Sequence, residues 1–206
     1  MTTTMSQNGN LAPAGLKRTV APTLRIISVS AFKLHHNVPD DDTDTLIEEY
    51  IEAATDFAEQ YQRRCFRDST WQALYDCFPS GGVFYVPIPP LIADSVSITY
   101  LDEAGASQTL ASSVYTVDAI SQPGRVALAY GQSWPSTYGQ IGAVTLQFDA
   151  GYETVAAVPA RTKQAIRKLV SHWVENKEPM IVGTVVAKVP LSVTDLLDQD
   201  RFVSYR

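Results

Sequence analysis

Two cysteines, Cys65 and Cys77, stand in a chain of 206 residues. That is too few for a disulfide framework, and buried free thiols are the expected state of both. No apolar stretch approaches the roughly 20 residues that span a bilayer. No charged segment leading into an apolar core opens the chain, so a protein made and used without export or membrane is expected. Basic charge is short as well: 16 Lys and Arg stand against 22 Asp and Glu, a net charge of −6. Such a balance argues against a protein that lives by gripping phosphates. It permits one past which DNA slides without sticking.

The usual signatures of chemistry are missing too. No G-x-S-x-G turn is present to hold a nucleophilic serine. Pro79–Gly82 and the glycines around Tyr138–Gly142 lack the lysine and following helix of a phosphate loop. His35-His36 beside Asp40–Asp44 comes nearest to a metal site. Adjacent helical residues point about 100° apart, however, and the aspartates lack the spacing and closing glutamate of a calcium loop. A solvated turn and helix cap is the better reading, and no metal is expected. His172 lies beside Trp173 on a helix, where a structural role is the simpler one. Cys65 has Arg63, Arg64 and Arg67 nearby, which favours a thiolate, yet a thiol at a helix end usually just packs. No catalytic set assembles, so neither an enzyme nor a cofactor is expected.

What the chain does contain falls into three zones. From Ser28 to Phe66 the pattern is helical. Ser28 or Ser30 can cap a short helix through Leu34 and His36, which breaks near Asn37 and Pro39. A longer helix follows the aspartates, with Leu46, Ile47, Tyr50, Ile51, Ala54, Phe57, Ala58 and Tyr61 on one stripe. Acidic residues near its start and Arg63-Arg64 near its end suit the helix dipole.

From Ser69 to Tyr152 charge thins out, and short β-branched or aromatic runs alternate with turn residues. Strands are expected at Thr70–Phe78, Val83–Val86, Ser95–Leu101, Ser107–Leu110, Val114–Val117, Arg125–Ala129 and Ala143–Ala150. Their number and pace suggest a small antiparallel sandwich or barrel inserted into a helical domain. Helix then returns after Pro159, with Ile166, Leu169, Val170 and Trp173 on its apolar face. Pro179 stops it, Met180–Val189 is an apolar run, and Ser192–Leu197 can form a short helix capped by Ser192 or Thr194. The aromatic stretch Tyr130-Gly131-Gln132-Ser133-Trp134-Pro135, with Tyr138 behind it, could stack on sugar rings; a loop anchored by a buried tryptophan is the plainer reading. The expected fold is therefore α+β. A small bundle of N- and C-terminal helices carries an inserted antiparallel β-sandwich-like subdomain, with a flexible arm over 1–24, helical segments at 25–68 and 153–206, and the insertion at 69–152.

Four stretches in this order carry a family resemblance. They are Asp40-Asp41-Asp42 through Leu46-Ile47 and Ile51-Glu52-Ala53-Ala54, and Thr70-Trp71-Gln72 with Val86-Pro87-Ile88-Pro89-Pro90-Leu91. Then come Tyr130-Gly131-Gln132-Ser133-Trp134-Pro135 with Phe148-Asp149-Ala150-Gly151-Tyr152 and Val158-Pro159, and finally His172-Trp173-Val174-Glu175-Asn176 with Val189-Pro190-Leu191 and Leu196-Leu197. Together, over about Ser28 to Leu197, the chain resembles the head–tail connector (adaptor) proteins of long-tailed phages and gene transfer agents, in the long form with a β insertion. The polar arm before Ala21 and the tail Asp198–Arg206 depart from that pattern.

The resemblance implies a dodecameric ring beneath the portal protein in the virion neck, assembled in the host cytoplasm. Such a ring would extend the DNA channel and meet a neck, stopper or tail-completion protein on its tail side. It also implies a C-terminal segment that anchors against the portal, and Leu196, Leu197, Phe202, Tyr205 and Arg206 are the residues we expect at that interface. An apolar run is costly in water, and a ring can bury one between neighbours. Met180, Ile181, Val182, Val185 and Val186 are the residues expected there, against the alternative of a core strand. Deleting the chain from Ser192 onward is expected to abolish portal binding and leave the fold. Other readings are a neck stopper or tail-completion protein, or a carbohydrate- or receptor-binding sandwich.

Overall fold

The computed structural model describes residues 11–36, 43–175 and 189–202. The chain divides into two compact units, one from Met1–Thr23 and Arg67–Tyr152, the other from Leu24–Phe66 and Glu153–Arg206. Among the described residues there are four α-helices and two antiparallel sheets, so the α+β architecture holds.

In the first unit the strands are β1 (Gly15–Arg18), β2 (Ser69–Tyr75), β3 (Val83–Tyr85), β4 (Ser97–Leu101), β5 (Ser107–Thr109), β6 (Tyr115–Asp118), β7 (Arg125–Leu128) and β8 (Val144–Ala150). One sheet runs β1-β2-β8-β4-β5 and the other β3-β7-β6. Each of the seven expected strands is present with shifted ends. β2 and β8 pair along their whole lengths, from Ser69 opposite Ala150 to Tyr75 opposite Val144. Period-two alternation decides their faces. Val144, Leu146, Phe148 and Ala150 are buried, while Gln147 between them is exposed and meets Gln72 across the ladder at 3.0 Å. The buried faces of the two sheets meet through aromatic rings, Tyr75 against Phe84 with centroids 4.9 Å apart. Tyr75 is 1 % exposed, and burial pushes its hydroxyl pKa far up.

β1 lies within the stretch expected as a flexible arm over 1–24 and pairs with β2. Gly-Leu-Lys-Arg shows no apolar alternation, so nothing local marks it as a strand. It forms because β2 has a free edge, and the Arg18 guanidinium lies 4.7 Å over the Trp71 ring in the facing register position. Trp71 Nε1 in turn donates to Ser69 Oγ at 3.1 Å.

The second unit holds α1 (Val29–His36), α2 (Asp44–Gln62), α3 (Ala160–Glu175) and α4 (Leu191–Asp198). Ser28 caps α1 as expected, its Oγ accepting the Ala31 N–H at 3.2 Å. Lys33 pairs with Asp44 at the start of α2. α2 buries Ile47, Ile51, Ala54 and Ala58, while Tyr50, Phe57 and Tyr61 are only half-buried at the margin of that stripe. It ends where Arg63 turns left-handed at φ 54° and the Glu59 carboxylate accepts the Phe66 N–H at 2.8 Å. α4 does not use a serine or threonine cap. It starts one residue earlier, the Pro190 carbonyl accepts the Val193 N–H at 2.8 Å, and the Thr194 hydroxyl bonds back to Leu191 O. The expectation of two buried thiols also needs correction: Cys65 is buried, but Cys77 lies in an exposed turn after β2.

Two consequences can be measured. Gly151 has φ 127°, and a Cβ there would lie 2.5 Å from the Arg67 carbonyl oxygen, beside the Arg67–Tyr152 bridge. Gly151→Ala should therefore cost about 2–4 kcal/mol in chemical denaturation, since backbone on both sides of the clash is held by the sheet. In the β6–β7 hairpin, Asp118 accepts from Ser121 Oγ at 2.6 Å and from Arg125 Nε at 3.0 Å. These bonds, the Ser121 hydroxyl's first and the Arg125 guanidinium's next, hold its carboxyl well below the usual range. A depressed native pKa means the contribution is complete above the unfolded value of about 3.9 and is lost as pH falls below it. Asp118→Asn should lower the melting temperature slightly at pH 7 and leave the variant less acid-sensitive than the parent below pH 4.

Candidate functional site

The residues expected at the portal interface occupy different environments. Leu197 is fully buried in the second unit, whereas Leu196 and Phe202 are half-buried. Tyr205 and Arg206 lie outside the described residues, as do Met180, Ile181, Val182, Val185 and Val186. The burial of Leu197 has a simple cause. α4 is short and amphipathic, and it turns Val193 and Leu197, four residues apart, into the core shared with α2 and α3. Deletion from Ser192 onward would thus remove core side chains and cannot leave the fold unchanged.

Polar contacts clasp this segment in place. Gln62, fully buried at the end of α2, donates from Nε2 to the Leu197 carbonyl at 2.7 Å. Its Oε1 accepts from the Thr162 hydroxyl of α3 at 3.4 Å, and its backbone carbonyl accepts the Phe202 N–H at 2.9 Å. Tyr61 donates to Asp198 Oδ1 at 3.0 Å, and that bond raises the phenol pKa. Arg161 reaches Gln199 Oε1 at 3.0 Å, and the Arg201 guanidinium lies 5.2 Å from the Tyr61 ring centroid. One glutamine therefore ties α2, α3 and the segment after α4 together. The signal for it is in the sequence: Gln62 falls on the buried phase of α2, four residues beyond Ala58, where a polar residue must find internal partners.

Near the other end of α4, a cleft of about 330 Å³ is lined by His36, Lys168, Ser171, His172, Glu175 and Ser192, among others. His36 Nε2 lies 2.8 Å from Ser171 Oγ, which also donates to the Arg167 carbonyl at 2.9 Å. Burial first, and His35 next to it, lower the His36 pKa. The His35 and His36 rings are 4.8 Å apart and tilted by 49°. His–Ser proximity here is a helix-packing contact, since the serine hydroxyl is spent on its own helix backbone. His172 and Cys65 are likewise placed by packing, and Cys65 Sγ lies 3.8 Å from Glu59 Oε1.

In the sheet unit, Trp134 stacks on Phe78 at 4.9 Å with planes 8° apart, and Phe84 meets its edge. A ring occupied in this way anchors the loop and gives up a face that a sugar would need. Tyr130 stays fully exposed and Tyr138 about half so.

Gln62→Ala would remove the shorter of the Leu197 carbonyl's donors, leaving it the Asp200 N–H at 3.3 Å, and would cost about 0.5–1.5 kcal/mol. Amide hydrogen exchange across α4 should quicken in this variant more than across β2 or β8. Equal protection in both proteins would show that apolar packing alone holds the segment.

Residues 26–87 match the family described as phage gp6-like head-tail connector protein. That family is structural and not enzymatic. No curated protein matches the chain. Three solved structures share the fold over 93 % of this chain and 97 % of theirs. A chain of the neck of an empty gene transfer agent particle, computed with C6 symmetry, gives a TM-score of 0.74 at 19 % identity. One of the neck of the native particle, computed with C12 symmetry, gives 0.71 at 21 %. One of the virion of the native particle gives 0.71 at 20 %. Residues 26–87 are thus similar to the phage gp6-like head–tail connector family, and over nearly its whole length the chain shares the fold of neck components of gene transfer agent particles.

Proposed function

We propose that this connector forms a ring in the neck of a tailed phage or gene-transfer-agent-like particle. It docks on the portal protein, extends the DNA channel and offers its far side to a stopper or tail-completion protein. The observation that carries the reading is the match of 26–87 to the connector family, joined to a fold shared over 93 % of the chain with a neck protein. The net charge of −6 suits a conduit through which phosphate backbones must slide.

Within this reading the segment from α4 onward faces the portal. Leu191, 80 % exposed, and the half-buried Leu196 and Phe202 are described residues that retain exposed apolar surface there, while Leu197 serves the core. The run Met180–Val189 remains our candidate for contact between protomers, on the ground that an apolar run gains by burial between copies.

Negative-stain electron microscopy of the full chain, alone and mixed with its particle's portal, tests the proposal. A ring stacked coaxially on the portal is expected; a monomer that never joins the portal would sink it. Leu196→Ser should then weaken stacking about tenfold without a change in melting temperature, as for a truncated interface side chain. Leu197→Ser should instead destabilise the fold by about 2–5 kcal/mol.

A further inference from the structure

Three large apolar side chains of the sheet unit are more than four-fifths exposed: Ile120, Tyr130 and Ile141. Two of them lie at one end of it. The β2–β8 ladder runs from beside the Arg67–Tyr152 bridge to Tyr75 opposite Val144. At that second end lie three connecting segments: 76–82 after β2, 102–106 between β4 and β5, and 129–143 between β7 and β8. Tyr130 and Ile141 stand on the third, with the half-exposed Tyr138 between them in sequence. Contacts tie these segments to one another. Trp134 stacks on Phe78, the Gly142 N–H donates to Asp76 Oδ1 at 2.9 Å, and the Tyr138 N–H donates to the Leu101 carbonyl at 3.0 Å. Asp102 Oδ1 accepts the Ala104 and Ala106 N–H groups at 3.0 and 2.9 Å and so closes the β4–β5 turn. Exposed rings on loops held in this way give up little freedom when a partner arrives, which favours binding.

Charge at this end has one sign. The three segments carry Asp76, Asp102 and Glu103 and no lysine, arginine or histidine. The Gln108 amide first, and the Ala106 N–H next, hold the Asp102 carboxyl below its usual range, so it stays ionised at neutral pH. Such a surface repels the phosphates of nucleic acid or anionic lipid, and it repels a second copy of itself. Lysine and arginine are drawn to its carboxylates and can also lie on tyrosine faces. The geometry points to this end of the sheet unit as the docking surface for the tail-side neck protein, which meets it with basic residues set among apolar ones. The inference rests on the neck reading proposed above. It gives the tail-side partner a surface in the sheet unit, separate from the segment after α4 that is assigned to the portal. Composition agrees with a protein partner: Tyr130-Gly131-Gln132-Ser133 and Ser136-Thr137-Tyr138-Gly139-Gln140 set tyrosine anchors among small polar residues. Tyrosine supplies contact area at low entropic cost, and its small neighbours supply hydrogen bonds.

The test uses the full-length protein, the portal of the same particle and the purified stopper or tail-completion protein that follows in its neck. Three variants are compared after melting curves confirm that each folds: Tyr130→Ser with Ile141→Ser, Glu103→Lys, and Ile120→Ser as a control outside the three segments. Binding to the portal and to the tail-side protein is measured separately by surface plasmon resonance and electron microscopy. The Tyr130/Ile141 variant is expected to bind the tail-side protein about tenfold or more weakly, as for lost aromatic and aliphatic anchors. Glu103→Lys should slow association with that protein and flatten its salt dependence. Portal binding should be unchanged in all three variants, and Ile120→Ser should match the parent in both assays. Tail-side binding that survives both changes at this end, or falls equally in the Ile120 control, would overturn the inference and leave the connector reading intact. Loss of portal binding in the Tyr130/Ile141 variant, with tail-side binding retained, would overturn it as well. An unaltered protein that joins neither neighbour would overturn both.

Discussion

The rest of the sheet unit depends on the pairing of β2 with β8. These strands are the first and last of the long β segment, and they lie side by side in antiparallel register over seven residues each. The chain therefore returns to the place it left. The Arg67–Tyr152 bridge and the close approach of Gly151 to the Arg67 carbonyl lie at the open end of that ladder. An insertion with its ends held together can be carried by a helical unit made from two distant halves of the sequence. The other strands of the same sheet add outward from this pair, β1 on one side and β4 with β5 on the other, and β3, β7 and β6 form the second sheet.

The helical unit faces a related problem. Its α4 is only eight residues long, too short to be stable alone, and is held by burial of Val193 and Leu197 and by the Gln62 clasp. Burial is divided within one turn: Leu197 points into the core while Leu196, one residue earlier and about 100° around the helix, keeps part of its surface outside.

Much of this was legible in the residues. Period-two alternation located β8, the three-and-four spacing of Ile47, Ile51, Ala54 and Ala58 located α2, and Ser28 announced the start of α1. β1 was not legible, because Gly15–Arg18 has neither alternation nor β-branched residues and becomes a strand only when an edge is offered to it. The opposite fates of Cys65 and Cys77 were hidden for a similar reason: one falls in the turn packed behind α2, the other in a turn that looks outward. Trp134 and its neighbours were open to two readings by composition, and in the structure Trp134 is half-buried and stacks on Phe78.

By itself, then, the sequence determined the order of helix, sheet and helix, the class of the fold and the absence of any recognisable catalytic motif. These follow from local patterns of polarity and turn chemistry along neighbouring residues. Tertiary structure decided which strands share an edge, which of Leu196 and Leu197 is core, and that one buried glutamine ties α2 and α3 to the chain after α4. The last of these depends on Gln62 meeting Thr162, Leu197 and Phe202, each 100 or more residues further along the chain. No periodicity in a single stretch encodes such a meeting, because each partner's hydrogen-bonding need is met only by the other's position in the folded chain.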